Sequence, residues 1–333
     1  MGCKIQNIEF VLGNKKISNL DLHNLNPSYN FDKFEKKVGI KYRYNEINGN
    51  VITLAKKSIN KLLNKIEIDK SEIDYLIFCT QSPEYLIPTN ACILQNECGL
   101  KTNIGAVDIN LGCSGYTYGL SLAKALIDSN QANNVLLVTS ETYSRYINKK
   151  DLINRLIFSD ASTSSLISRS ESNDIGLFQF GTDGSGFDKL IVKNNYFTKE
   201  FNPDTKSYGK NNYYTDNDLF MNGPEVFNFT LKQVPNLINN ILLKNNKEIN
   251  EIDKIVLHQA NKFLLKAISK KSTIDFEKFF INLESYGNTV SNTIPIALKE
   301  FSKNIEDYKS VLLGGFGVGL SWSGCVINVN NKL

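Results

Sequence analysis

The chain has 333 residues, 41% of them hydrophobic and 22% charged, with a formal net charge of only +4. That length allows one large core or two closely packed halves, and the near-neutral balance gives nucleic-acid binding no support. No apolar run is long enough to span a bilayer, no secretory signal is expected, and the six cysteines show no paired metal spacing. Cys3, Cys79, Cys92, Cys98, Cys113 and Cys325 fall mostly in apolar segments, so reduced thiols, a cytoplasmic location and no metal are expected.

In chain order, Lys4 to Leu12 reads as a first strand, and Asn26 to Tyr44 as a short helix and a loop. Val51, Leu54, Ala55, Ser58, Ile59, Leu62, Leu63 and Ile66 recur at three and four, which predicts an amphipathic helix from Val51 to Ile66. Ile73 to Cys79 predicts a buried strand, and Thr89 to Cys98 a helix. Ala106 to Asn110 is a short apolar strand, Leu111 to Gly115 a tight turn, and Tyr116 to Ile127 a nearly uncharged helix expected to be buried all round. Strands follow at Asn134 to Thr139 and Thr163 to Ser168. Lys189 to Asp218 is rich in Asn, Lys and Tyr and reads as a surface insertion; Val226 to Leu243 reads as a helix kinked at Pro235.

The front of the chain then recurs. Glu72 to Cys79 is echoed by Glu251 to His258, Cys113 by Asn288 in Ser285-Tyr286-Gly287-Asn288-Thr289, and Val135 to Leu137 by Val311 to Leu313. The order and the near-constant offset predict a duplication with halves at residues 1–170 and 171–333. Two strand-elbow-helix units imply two buried sheets packed around helices, with both elbows at a shared centre.

Cys113 stands between Gly112 and Ser114-Gly115, where a strand ends and a helix begins. Such an elbow presents a nucleophile, and the helix N-terminus is expected to lower the thiol pKa from about 8.5 into a reactive range. Of the two histidines, His23 lies in a polar stretch and reads as bland. His258 ends a buried strand and opens His-Gln-Ala-Asn. A thiol, an imidazole and a carboxamide on converging loops form a candidate active site. The run Gly314 to Gly319 lacks the phosphate-binding lysine and the dinucleotide spacing, and its place between two strands suits an oxyanion hole of backbone N–H groups.

Cys113 in Gly-Cys-Ser-Gly, His258 in His-Gln-Ala-Asn, Asn288 in Tyr-Gly-Asn-Thr and the terminal Gly-Gly-Phe-Gly-Val-Gly-Leu-Ser-Trp resemble the thiolase-fold condensing enzymes, most of all the β-ketoacyl-acyl-carrier-protein synthase III family. The resemblance implies a homodimer of duplicated α-β-α-β-α subunits. It implies that Cys113 takes an acyl group from coenzyme A or a carrier protein. His258 and Asn288 would stabilise the enolate left when a malonyl thioester loses CO2, and the N–H groups of Cys113 and Val318 would hold the oxyanion. No cofactor beyond the thioester substrate is implied, and the acyl carrier protein is the implied partner.

Departures from the family are visible. Val318 stands where glycine is common, and its β-branching is expected to narrow the site. Ile87 and Phe316 are the expected acyl-tunnel residues, with Ile87 where a bulky residue from the partner subunit is common. Lys33 or Phe34 replaces a tryptophan at the coenzyme A entrance, and Phe158 to Ser162 replaces a more glycine-rich segment. Lys37 joins that entrance, and Lys262, Lys266 and Lys270, four residues apart, form an expected docking stripe for an acidic carrier. Two other readings stay open. A non-decarboxylating condensing enzyme would need a carboxylate base, for which Glu84 is the local candidate. A cysteine hydrolase also uses Cys, His and Asn in this order.

Overall fold

The computed structural model describes residues 2–66, 68–194, 204–307, 309–329 and 332–333. Two sheets carry the fold. The first has the order Gly2–Leu12, Ala161–Ser170, Asn134–Glu141, Tyr75–Cys79, Gly105–Ile109. The second has the order Gln179–Thr182, Ser321–Val329, Lys309–Gly317, Lys254–Leu257. In each, the Tyr75–Cys79 or Lys254–Leu257 strand pairs in parallel with the next strand inward; Tyr75–Cys79 also pairs in parallel with Gly105–Ile109 on its other side, and the remaining pairs are antiparallel. Tyr75 faces Val135 and Lys254 faces Val311, so the sequence echo reappears as equivalent ladder positions. An isolated parallel pairing of Ile255 with Phe279 stands where the first sheet has its fifth strand.

Three apolar cores separate five layers. Val51–Lys65 forms a helix because Asn50 and Thr53 cap each other's backbone N–H groups and its apolar residues recur on one face. That face packs with Leu76, Phe78, Leu136, Val138 and Leu166 on the outside of the first sheet. Between the sheets lie the helices Gly115–Asp128 and Thr293–Ser302, whose Tyr116, Leu120, Ala123, Ile294 and Leu298 touch both. Helices Gly223–Lys244 and Lys262–Ser272 cover the far side of the second sheet. Each fully buried large apolar side chain contributes about 1.5–3 kcal/mol relative to exposure, so these three cores hold the central layer, and the site it carries, in place.

Several expectations are corrected. The helix expected from Val226 to Leu243 starts earlier, at Gly223, and runs to Lys244 with Pro235 inside it. The central helix is buried over its first turns, but Leu122, midway along it, is exposed. Asn26 to Tyr44 holds the helix Phe31–Val38 and the strand Tyr42–Asn45, preceded by a helix at Asn19–Leu25. Gly314, Gly315 and Gly317 lie within a strand rather than in a loop after it. Part of the presumed insertion is ordered: Leu190–Val192 pairs with Leu219–Met221, while residues 195–203 lie outside the described ones.

Candidate active site

The elbow is tight because its glycines leave no space for side chains. A Cβ on Gly112 would meet Gln81 Oε1, and lie 2.7 Å from Val318 Cγ1; one on Gly115 would meet Cys79 Sγ. A Cβ on Gly317, whose φ is +155°, would lie 2.9 Å from Cys113 Sγ. The sulfur is therefore covered by backbone. The N–H groups of Val318 and of Cys113 itself hydrogen-bond it. Burial dominates: the thiol is pushed up to about 12, against the favourable pull of those N–H groups. This corrects the expected lowering. The helix terminus is present, but removing a thiolate from water costs more than the two N–H bonds return, so Cys113 rests as a thiol.

His258 is buried where its strand ends, and its backbone N–H donates to Gly314 O at 2.8 Å. Its Nδ1 lies 2.7 Å from Thr293 Oγ1, and its ring stands edge-on to Phe316 at 5.7 Å. Burial holds the imidazole down at about 3, so it is neutral and carries one N–H.

Asn288 is held by both halves of the chain. Its N–H donates to Ile157 O and its C=O accepts from Ser159 N–H, each at 2.9 Å. Val290 N–H donates to Asn288 Oδ1 at 2.9 Å, leaving the side-chain NH2 as the free end. Val290 takes a φ of +56°, unusual for a β-branched residue, at the head of the turn leading to Thr293. The same residue packs with Cys113, Tyr143, Phe158, Leu190 and Leu219 in one apolar cluster, and its C=O faces the His258 ring. Val290 thus links the elbow, the carboxamide and the imidazole.

Glu141 escaped the sequence reading. It is fully buried at the end of its strand. Its carboxyl accepts from Ser82 Oγ at 2.8 Å, Ser291 Oγ at 3.0 Å and Gln81 N–H at 3.2 Å. It thereby ties the loop under the elbow to the Asn288 turn. Burial pushes this carboxyl up to about 8, against those three donors. A strand-end glutamate carries no spacing signal that would have singled it out.

A cavity of about 840 Å³ opens beside Val318, walled by Tyr143, Tyr146, Leu190, Val192 and Leu219. Leu190 and Val192 come from the stretch read as a surface insertion, so that stretch builds part of the cavity wall. Ile87 sits on the cavity rim and is 86% exposed. Phe316 is off the wall: it is buried in the rear core against His258, which corrects its tunnel assignment. Phe34 also differs from expectation. It turns inward onto Leu22, Phe31, Leu152 and Leu156, because helix Phe31–Val38 needs an apolar face, and so it offers no surface for a stacked base. Lys33 and Lys37 are exposed on that helix, and Lys37 Nζ lies 4.5 Å from the Phe263 ring centroid. Lys266 and Lys270 are exposed, whereas Lys262 is half-buried, its stem against Gly39. Glu84 reaches the cavity rim but pairs with Arg145 at 3.5 Å. Among the described residues no cluster of metal ligands occurs.

Comparison with known proteins gives consistent matches. Residues 107–184 match the family described as 3-oxoacyl-[acyl-carrier-protein] synthase III, and residues 242–329 match its C-terminal part. The chain is 33% identical over 336 residues to the β-ketoacyl-[acyl-carrier-protein] synthase III of Clostridium novyi, covering 98% of this chain and 99% of that one. It is 36% identical over 295 residues to that of Porphyra purpurea, covering 87% and 88%. A crystal structure of a 3-oxoacyl-(acyl-carrier-protein) synthase III superposes with a TM-score of 0.95 at 38% identity, covering 99% of this chain and 100% of that one.

Proposed function

The chain belongs to the β-ketoacyl-acyl-carrier-protein synthase III family of thiolase-fold condensing acyltransferases, and we propose that it joins an acyl thioester to malonyl-acyl-carrier protein by decarboxylative Claisen condensation through acyl-Cys113. Cys113 Sγ attacks the donor carbonyl, and its proton leaves with the departing thiol. The malonyl thioester loses CO2, and the enolate oxygen is held by N–H donors of His258 and Asn288. The carbanion attacks the acyl-Cys113 carbonyl, whose oxyanion sits on the N–H groups of Cys113 and Val318. Collapse expels the Cys113 thiolate and leaves a β-ketoacyl carrier thioester. Preorganised donors of this kind are worth roughly 3–4 kcal/mol each.

The observation that carries this reading is Val290, whose N–H holds the Asn288 side-chain oxygen, whose C=O faces the His258 ring and whose side chain shares an apolar cluster with Cys113. A neutral imidazole and a carboxamide suit a reaction that makes its own carbanion by losing CO2. The base required by a non-decarboxylating condensation has poor support, since Glu84 is engaged by Arg145. Incubation with acyl thioester and malonyl carrier tests the proposal: a β-ketoacyl product with CO2 release supports it, and free acid alone refutes it.

The same reading assigns further features. The edge strand Gly105–Ile109, with exposed Val107, and the exposed Tyr85, Leu86 and Ile87 make an apolar face that a second copy would cover, giving a homodimer. The helices bearing Lys33, Lys37, Lys266 and Lys270 lie side by side, with Lys37 over Phe263. That basic face suits an acidic carrier protein steered by charge. With Phe34 turned inward, a carrier-borne phosphopantetheine arm is favoured over coenzyme A. All six thiols are free, in keeping with a cytoplasmic location.

A further inference from the structure

The neutral His258 ring can carry its proton on either nitrogen, and the two forms do opposite chemistry. With the proton on Nε2 the ring is a hydrogen-bond donor toward the cavity. With the proton on Nδ1, Nε2 is a lone pair that can only accept or act as a base. The surroundings of Nδ1 decide between them.

Thr293 Oγ1 lies 2.7 Å from Nδ1 and 3.1 Å from Val290 O. The hydroxyl has one hydrogen to give. The shorter contact is the usual length for an O–H donor, and the longer one exceeds it. Val290 O, moreover, already accepts the backbone N–H of Thr293, which closes the turn at Val290–Asn292. The carbonyl therefore does not need the hydroxyl's hydrogen, which is left for the Nδ1 lone pair at the shorter distance. Val290 O also faces the ring and lies 3.1 Å from that hydroxyl, so with the hydroxyl absent it is the acceptor left on the Nδ1 side.

We propose that Thr293 is a positioning residue: its hydroxyl donates to Nδ1 of His258 and so keeps the ring's only proton on Nε2, making His258 a donor to the enolate oxygen rather than a base. The strained Val290 serves both donors at once. Its N–H fixes the oxygen of Asn288, and its C=O, occupied by Thr293 N–H, leaves the threonine hydroxyl for the histidine. One left-handed residue thus aligns two side chains that are 30 positions apart in sequence. This inference rests on the proposed decarboxylation but is read out separately from it.

The chain has only two histidines, His23 and His258. Histidine-labelled protein therefore gives two imidazole signals by NMR, and His23→Gln assigns them. The wild type is expected to show His258 as the Nε2–H form. Thr293→Val keeps the side-chain shape but removes the hydroxyl, and is expected to move the ring toward Nδ1–H, with Val290 O as acceptor. Malonyl decarboxylation should then fall about 10²-fold, while acyl loading of Cys113, followed by intact mass, persists. Thr293→Ser should restore both the tautomer and the rate. A wild-type ring found as Nδ1–H overturns the proposal whether or not Thr293→Val folds, and so does a folded Thr293→Val with an unchanged tautomer. A wild type that keeps Nε2–H yet makes no carbon–carbon product supports the tautomer assignment and refutes the proposed reaction.

Discussion

The backbone N–H of Val290 donates to the side-chain oxygen of Asn288 over 2.9 Å. An amide whose oxygen is already engaged offers its NH2 elsewhere, so this bond leaves the NH2 of Asn288 as its free donor. It also requires Val290 to hold a φ of +56°, a conformation that costs on the order of 1–3 kcal/mol and persists only where the surroundings enforce it.

Asn288→Asp keeps the acceptor for Val290 but turns the free donor into a negative charge beside the developing enolate. Decarboxylation is expected to fall by about 10²–10³, with acyl loading of Cys113 retained. Decarboxylation of labelled malonyl carrier, measured beside the intact mass of the acyl-enzyme, separates the two. Equal loss of both steps would argue that Asn288 is structural.

Gly317 allows the strand to pass directly over the sulfur. Gly317→Ala places a methyl carbon against Cys113 Sγ and forces a side chain into a φ of +155°. The variant is expected to lose alkylation of Cys113 by iodoacetamide and about 1–3 kcal/mol of stability in urea. Unchanged alkylation would mean that the thiol is reached from another side.

Tyr143 walls the cavity and packs in the Cys113 cluster, with its hydroxyl 3.3 Å from Gln81 Oε1. Tyr143→Ala should shift the preferred acyl donor to longer chains, with a gain of about fourfold per extra buried methylene. Tyr143→Phe should leave the preference in place. A mixed pool of acyl thioesters competing for Cys113 gives the profile in one mass spectrum, and an unshifted profile in Tyr143→Ala assigns the limit to another wall.

The two half-reactions should respond differently to pH. Cys113 is pushed up to about 12 by burial, so its thiolate fraction rises about tenfold per unit below that value, and acyl loading should climb with pH from 6 to 9. His258 is held at about 3, also by burial, so decarboxylation on preloaded enzyme should be flat from pH 5 to 8. A step near 6.5 in that second profile would show a titrating imidazole.

Stability carries its own pH signature through Glu141. Its folded pKa, raised by burial to about 8, exceeds the unfolded value near 4.5. The folded state therefore holds a proton that the unfolded chain has lost, and this contribution, full below 4.5, disappears as pH rises through 8. Glu141→Gln should flatten the decline in stability between those values in urea titrations. A decline of the same size in the variant would place its origin elsewhere.

The Val51 helix begins and ends within a residue of its periodicity, because a one-sided apolar stripe and a cap are local properties. The duplication was also legible: echoes at 72–79 and 251–258 became equivalent ladder positions. Cys113, His258 and Asn288 stood out for the same reason, since strand ends and glycine-flanked turns are written in adjacent residues. Phe34 misled because an aromatic residue on a charged helix can face either way, and only the packing of Leu22, Leu152 and Leu156 turned it inward.

Order along the chain thus set the strands, the elbow and the choice of three candidate side chains. Tertiary structure decided their chemistry. Desolvation sums over every atom around a group, so the thiol of Cys113 and the ring of His258 took protonation states opposite to a charged pair. Hydrogen bonds between distant residues wait on the fold, so the Thr293 hydroxyl reaches His258 only when the rear half has packed, and Glu141 joins Ser82 to Ser291 only after the two halves close on each other.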